Sequence, residues 1–124
     1  MRCLLYVISF ALLLSLSGCY YDSVENLYPS LSQCDTTNVT YTGSVLPILR
    51  DNCFSCHSNA TFESSGSGNK FEDYPDLKVF IDNGKLYNSI THQSAFPMPL
   101  NAPKLETCKI VIIKKWIDAG ALNN

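Results

Sequence analysis

Apolar side chains recur at helical spacing shortly before the middle of the chain. Val45, Ile48 and Leu49 stand at positions i, i+3 and i+4, which places them on one face of a helix. Ser44 precedes them and is a residue type that commonly caps helix N-termini. The pattern therefore predicts a helix over residues 44–52 with Ser44 as its N-cap.

The strongest helical pattern covers residues 105–119, near the end of the chain. Its predicted buried stripe consists of Ile110, Ile112, Ile113, Trp116 and Ile117. Lys114 and Lys115 lie near its C-terminus, where the helix dipole favours positive charge, and Gly120 is typical of a helix end. Glu106 stands at its start, where Ser or Asp would be a better N-cap.

The segment between these two helices alternates loops with shorter helical patterns. A Ser- and Gly-rich loop covers residues 59–69. A helix is predicted over 76–83, ended by Gly84, and residues 86–90 predict a further helical turn. Since no stretch alternates apolar and polar residues as a strand does, we expect an all-α fold.

The N-terminal segment has the pattern of an export signal. Met1-Arg2 supplies a positive charge, and Cys3–Leu16 is almost wholly apolar but too short for a comfortable membrane span. The run ends in Leu16-Ser17-Gly18-Cys19, which resembles the lipobox of bacterial lipoproteins. That resemblance implies a signal peptide over 1–18 and lipidation of Cys19, which becomes the first mature residue. An uncleaved anchor, or a plain signal peptide followed by a fortuitous cysteine, is the alternative.

The remainder divides into a polar stretch and one domain. Residues 19–38 contain turn formers without helical or strand periodicity, and we expect a flexible tether. Residues 39–124 are enough for one modest core, and no second hydrophobic run is long enough to span a membrane. We therefore expect an exported protein, lipid-anchored to a bacterial cell-envelope membrane, with its domain facing the periplasm or the cell exterior.

The charge balance excludes one class of function. Nine basic and 11 acidic residues give a net charge of −2, and the only adjacent basic pair is Lys114-Lys115. A nucleic-acid-binding protein needs a basic face to neutralise phosphates. We therefore expect no nucleic-acid partner.

Six cysteines are many for a chain of this length, and two of them belong to a specific motif. Cys53-Phe54-Ser55-Cys56-His57 is C-x-x-C-H, the attachment signature of c-type haem. Two thiols three residues apart can form thioethers with the two vinyl groups of one haem, and the following histidine is then placed beneath the iron. A Cys53–Cys56 disulfide, a zinc knuckle and a thioredoxin-like redox pair are the alternatives.

An electron-carrying haem iron usually takes a second axial ligand from the protein. Met98 is the only methionine besides Met1, and Pro97 and Pro99 on either side stiffen its loop. We expect Met98 to be this ligand. His92 is the rival ligand, and an open coordination position is the third alternative.

The order of these motifs is specific. An apolar helix, Cys53-x-x-Cys56-His57, Met98-Pro99 and Trp116-Ile117-Asp118-Ala119-Gly120-Ala121 follow one another, and together they resemble monohaem cytochrome c of the class I type. Small bacterial cytochrome c lipoproteins are the most similar group. The resemblance covers about residues 34–122 and implies a small helical domain around one covalent haem. It also implies that the first and last helices cross beside the haem, with Trp116 near the crossing.

Two cysteines remain outside the motif and the leader. Leftover cysteines in an oxidising compartment usually pair, so we expect a Cys34–Cys108 disulfide. Free thiols, or a second redox centre beside the haem, are the alternatives.

These features predict an electron carrier rather than an enzyme. Its cofactor is one covalent haem c bound by Cys53 and Cys56, with axial ligation by His57 and Met98, and its partners are redox proteins that meet an exposed haem edge. A peroxidase-like enzyme would need an open iron, and a thiol–disulfide oxidoreductase would need free Cys53 and Cys56 thiols. A subunit or haem-based sensor of a larger membrane complex is a third possibility.

Overall fold

The computed structural model describes residues 34–124. The expected signal peptide over 1–18, the lipidation site Cys19 and most of the expected tether lie outside the described residues. Within 34–124 all regular secondary structure is helical, and no strand is present. The all-α prediction is therefore confirmed for this part of the chain.

The helical elements follow one another in a simple order. They are a π-helical turn at Tyr41–Val45 and five α-helices: α1 (Leu46–Asn52), α2 (Phe54–His57), α3 (Tyr74–Asp82), α4 (Lys85–Ile90) and α5 (Thr107–Asp118). The predicted helices at 44–52, 76–83, 86–90 and 105–119 all occur, with ends that differ by up to three residues. Helix α2, which contains all of the C-x-x-C-H motif except Cys53, was not predicted from the hydrophobic pattern.

The π-helical turn and α1 together form the first helical segment, residues 41–52, which begins earlier than the sequence predicted. Thr40, not Ser44, is its N-cap, and the Thr40 hydroxyl accepts a hydrogen bond from the Gly43 N–H at 3.1 Å. The Ser44 hydroxyl accepts in turn from the Thr40 N–H at 3.3 Å, so the two side chains cap the turn reciprocally. The prediction of Ser44 as N-cap is wrong because Tyr41 is also buried in the core, which extends the helix by one turn.

Three aromatic side chains join the first helical segment to α5. The Trp116 ring stacks on Tyr41 with centroids 5.4 Å apart, and Tyr74 meets Tyr41 edge-on at 5.3 Å. Trp116 is fully buried, and its indole N–H donates to the Leu122 carbonyl at 2.8 Å. This aromatic cluster forms one end of the hydrophobic core, which continues through Val45, Leu49 and residues of α3, α4 and α5.

The conformation after α5 explains the Gly120-Ala121 pair that ends the sequence motif. The Gly120 N–H donates to the Ile117 carbonyl and the Ala121 N–H donates to the Trp116 carbonyl, both at 2.9 Å. This is a Schellman cap, and Gly120 occupies its left-handed position with φ of 95°. Ala121 is buried behind it, so the chain turns back against the aromatic cluster.

The buried stripe of α5 is narrower than predicted. Ile110, Ile113 and Trp116 are buried, whereas Ile112 and Ile117 are only partly so. The correction follows from helix geometry, because one packed face covers about three positions in two turns. Glu106 is the N-cap of α5 and makes no side-chain capping hydrogen bond, as its residue type led us to expect.

A disulfide joins Cys34 to Cys108 in the first turn of α5, in agreement with the sequence expectation. The bond closes a loop with a sequence separation of 74 residues. Cross-linking so long a loop restricts the unfolded chain and stabilises the fold by up to about 4 kcal/mol in the chain-entropy model.

Candidate functional site

An open cavity of about 630 Å³ lies between the C-x-x-C-H motif, α4 and the loop that precedes α5. Cys53, Cys56 and His57 line one side of it, and Met98 lines it as well. Its volume is typical of pockets that enclose a cofactor or other small ligand. The fold therefore brings together four sequence-predicted residues, of which Met98 is far from the others along the chain.

The walls of the cavity are largely apolar. Its apolar side chains include Phe71, Phe80, Leu86, Ile90, Phe96, Pro99, Leu100 and Leu105. Serine and asparagine side chains supply most of the polar lining, and Lys85 is the only Lys, Arg, Asp or Glu among the lining residues. Such a cavity suits a flat apolar group that carries a few polar substituents.

The motif itself forms a tight helical turn directly after α1. The Cys53 N–H donates to the Leu49 carbonyl at 2.8 Å, which attaches the turn to the end of α1. The Cys56 and His57 N–H groups both donate to the Cys53 carbonyl, at 3.1 and 3.0 Å. Residues three apart lie on the same side of a helical turn, so both cysteines and His57 face the cavity.

The His57 ring is held in one orientation by two neighbours. Its Nδ1 lies 2.8 Å from the Asn69 carbonyl oxygen, and the Phe71 ring stacks on it with centroids 4.4 Å apart. Because a carbonyl oxygen can only accept, Nδ1 carries the hydrogen and the neutral ring keeps a lone pair on Nε2. A hydrogen bond of this kind is the usual support of a metal-binding histidine.

The loop over 59–69 packs tightly against the motif at Gly66. A side-chain carbon built on Gly66 would lie 2.5 Å from the Cys56 carbonyl oxygen and 2.9 Å from the Phe62 backbone. These are backbone atoms of packed segments and cannot move aside cheaply. Gly66 therefore permits the approach that carries Asn69 and Phe71 to His57.

We expect Gly66→Ala to lower the free energy of unfolding by about 3 kcal/mol, at the upper end of the cost of overpacking. Gly68→Ala is the matched control in the same loop, because Gly68 has open space around it and only a φ of 77° to accommodate. Its cost should be about 1 kcal/mol, the penalty of a left-handed conformation. Urea unfolding of both purified variants measures the difference, and equal losses would contradict the steric argument.

Met98 and His92 occupy different positions with respect to the cavity. Met98 lines it, whereas His92 is exposed and does not. The His92 Nε2 lies 3.1 Å from the Met98 carbonyl oxygen, so the ring contacts the backbone of Met98 instead. The geometry favours Met98 over His92 as the residue that faces a group bound in the cavity.

The thiols of the motif are free in the structure. Cys53 and Cys56 form no disulfide with each other, and Cys34 and Cys108 are engaged in their own. Burial, with a smaller contribution from Cys56, raises the pKa of the Cys53 thiol to about 12. Within residues 34–124, no three His, Cys, Asp or Glu side chains lie together as a metal site.

Three contacts around the motif were not predicted from the sequence. Asn69 acts through its backbone carbonyl, and the ring of Phe71 stacks on His57 across a loop. Gly66 acts by having no side chain, and nothing in a Ser- and Gly-rich stretch distinguishes it from Gly68. Only Phe71, as a large apolar residue next to a polar loop, carried a signal of burial.

No protein-family model, curated protein or solved structure matches this chain. Among the helices of residues 34–124, none combines the length and apolar character needed to cross a membrane.

Proposed function

We propose that this protein is an electron carrier with one covalently bound c-type haem, similar to monohaem class I cytochromes c. Cys53 and Cys56 would attach the haem, and His57 and Met98 would be the axial ligands. The observation that carries the proposal is the shared cavity, which brings Met98 to the C-x-x-C-H motif. The all-α fold and the contact between Trp116 and the first helical segment are compatible with it.

The residues present fit such a group in their donor chemistry. The thiols of Cys53 and Cys56 would each add across one vinyl double bond, with sulfur bonding to one carbon and the hydrogen to the other, so that nothing leaves and no oxidant is consumed. His57 offers Nε2 as a ligand because the Asn69 carbonyl holds the hydrogen on Nδ1. Lys85, the one lysine of the lining, would supply a positive charge for a propionate of the bound group.

The ligand set favours electron transfer over catalysis. A covalently attached haem would supply one iron that takes up and releases a single electron. With His57 and Met98 as the two protein ligands, the iron would have no open position for a substrate. The soft thioether of Met98 and the apolar walls would both disfavour the ferric charge, which would raise the reduction potential.

Redox partners would approach at the mouth of the cavity. Phe96 and Leu100 line the cavity and yet are 73% and 63% exposed, so they form an apolar rim around its opening. A short-lived contact with this rim is enough for one-electron exchange.

The alternative functions need properties that the site does not favour. A thiol–disulfide oxidoreductase needs an attacking cysteine with a lowered pKa, whereas burial raises the pKa of Cys53. A peroxidase-like enzyme needs an iron that is open on one face, whereas Met98 lines the same cavity as His57 and would occupy the second position. No observation favours either of them over the electron carrier.

Export and anchoring complete the proposal. Haem attachment to exported thiols agrees with a signal peptide over 1–18, and lipidation of Cys19 would hold the domain at a cell-envelope membrane. Both features rest on the sequence pattern, because these residues lie outside the described part of the chain.

The test is covalent haem retention in the protein produced with cytochrome c maturation factors. We expect a reduced c-type haem spectrum that survives denaturation and acidified organic extraction. The double variant Cys53→Ser/Cys56→Ser should lose all of it, whereas Ser55→Ala, an exposed position inside the same motif, should retain it. A wild-type protein without covalent haem would contradict the proposal, and Cys53 and Cys56 would then need another function.

A further inference from the structure

Both backbone polar groups of Met98 are engaged, one by the last turn of α4 and the other by His92, which follows that helix. The Met98 N–H donates to the Ser89 carbonyl at 3.0 Å. The Met98 carbonyl lies 3.1 Å from His92 Nε2 and, being an acceptor, takes a hydrogen bond from the ring. His92 is therefore the side chain that holds the carbonyl of the residue bearing the thioether.

We propose that His92 is a positioning residue that keeps the Met98 thioether at the haem iron. The inference rests on the proposed function and adds a role for a residue outside the ligand set. His92 does not line the cavity, and its contribution is made through the backbone of Met98.

The backbone of His92 is fixed by hydrogen bonds to the end of α4. The His92 N–H donates to the Ser89 carbonyl at 3.1 Å and the next N–H, of Gln93, donates to the Asn88 carbonyl at 2.8 Å. His92 adopts φ of 60°, which ends α4 and turns the chain toward the Met98 loop. The ring thus projects from the end of a helix, not from a free loop.

The side chain of Ser94 forms hydrogen bonds within the loop between His92 and Met98. The Ser94 hydroxyl donates to the Phe96 carbonyl at 2.9 Å and accepts from the Phe96 N–H at 3.2 Å. The loop from His92 to Met98 is therefore short and internally bonded, and the His92 contact joins its two ends. Without this contact Met98 keeps only its N–H bond to Ser89, so departure of the thioether from the iron becomes easier.

The size of the effect follows from the environment of the bond. The His92 ring is exposed, so its bond is worth the net value of a solvent-accessible hydrogen bond. Its loss should shift the equilibrium between bound and released Met98 about five-fold, which corresponds to about 1 kcal/mol. An external ligand that replaces Met98 gains affinity by the same factor.

The test is imidazole binding to the ferric, haem-loaded protein, followed by the loss of the sulfur-to-iron absorption band. His92→Gln places an amide N–H at the reach of Nε2 and should bind imidazole with an affinity within two-fold of the wild type. His92→Asn tolerates the left-handed backbone but its amide is too short to reach, and it should bind imidazole about five-fold more tightly.

The possible outcomes distinguish failure of the positioning role of His92 from failure of the proposed haem function. Equal imidazole affinity in all three proteins, or an equal gain in His92→Gln and His92→Asn, overturns the positioning role and leaves haem ligation by Met98 standing. A wild type without covalent haem or without the sulfur-to-iron band overturns both. Thermal unfolding of the same samples distinguishes the positioning role from a general loss of stability. A general loss would lower Tm but would leave His92→Gln and His92→Asn with the same imidazole affinity.

Discussion

In the proposed haem-loaded protein, Met98→Ala should abolish the sulfur-to-iron band of the ferric state and lower the reduction potential by on the order of 100 mV. Alanine has no donor atom, and no second methionine or histidine lines the cavity in residues 34–124. The ferric state would then gain stability, because the soft thioether, which favours ferrous iron, is absent. Potentiometric titration with visible spectroscopy measures both changes on one sample.

The same variant changes what the reduced protein binds. If Met98 ligates the iron as proposed, the wild-type protein should bind carbon monoxide slowly or not at all, whereas Met98→Ala should bind it readily. Leu100→Ala is the matched control, because Leu100 lines the cavity two residues away but has no ligating atom. If Met98→Ala retained the band and excluded carbon monoxide, another residue would be the ligand and the assignment would be wrong.

Trp116→Ala will lower the free energy of unfolding by about 3–5 kcal/mol, a large share of what a domain of this size has. The indole is 1% exposed, stacks on Tyr41, and donates to the Leu122 carbonyl. Alanine leaves a cavity beside Tyr41 and Tyr74 and an unpaired carbonyl, and it loosens α5 from the first helical segment. Denaturant unfolding of the haem-loaded protein at fixed pH and salt measures the loss.

Two further variants divide this cost. Trp116→Phe keeps an aromatic ring against Tyr41 but loses the N–H donor, and it should cost about 1–2 kcal/mol. Val79→Ala removes an apolar side chain that is 60% exposed, and it should change stability by less than about 0.5 kcal/mol. A loss in Trp116→Ala no larger than that in Val79→Ala would contradict the central place of the aromatic cluster.

The helices were predictable where their signals are local. One local signal is the helical spacing of the buried residues Val45, Ile48 and Leu49. Another is Gly84, whose left-handed conformation ends α3 just before it. The start of the first helix was not predictable in this way. Tyr41 is buried against Trp116, which is far away in the sequence. The helical segment therefore begins at Tyr41, and its N-cap is Thr40 instead of the predicted Ser44.

The candidate site divides in the same manner. The C-x-x-C-H spacing alone made Cys53, Cys56 and His57 the candidate residues for haem attachment, because that chemistry needs those residue types at that spacing. The sequence favoured Met98 over His92 because Pro97 and Pro99 stiffen the Met98 loop, but neither residue is close to the motif along the chain. In the folded protein Met98 lines the cavity and His92 contacts its backbone.

The sequence by itself determined the helical class of the domain, the motif and the pairing expected for Cys34 and Cys108. These depend on periodicity, on spacing within one turn, and on a count of leftover cysteines. Tertiary structure alone decided which atoms support the site, namely the Asn69 carbonyl behind His57, the space that Gly66 leaves beside Cys56, and the His92 bond to Met98. The physical reason is that backbone carbonyls and missing side chains look alike at every position of a sequence, and only packing gives one of them a partner.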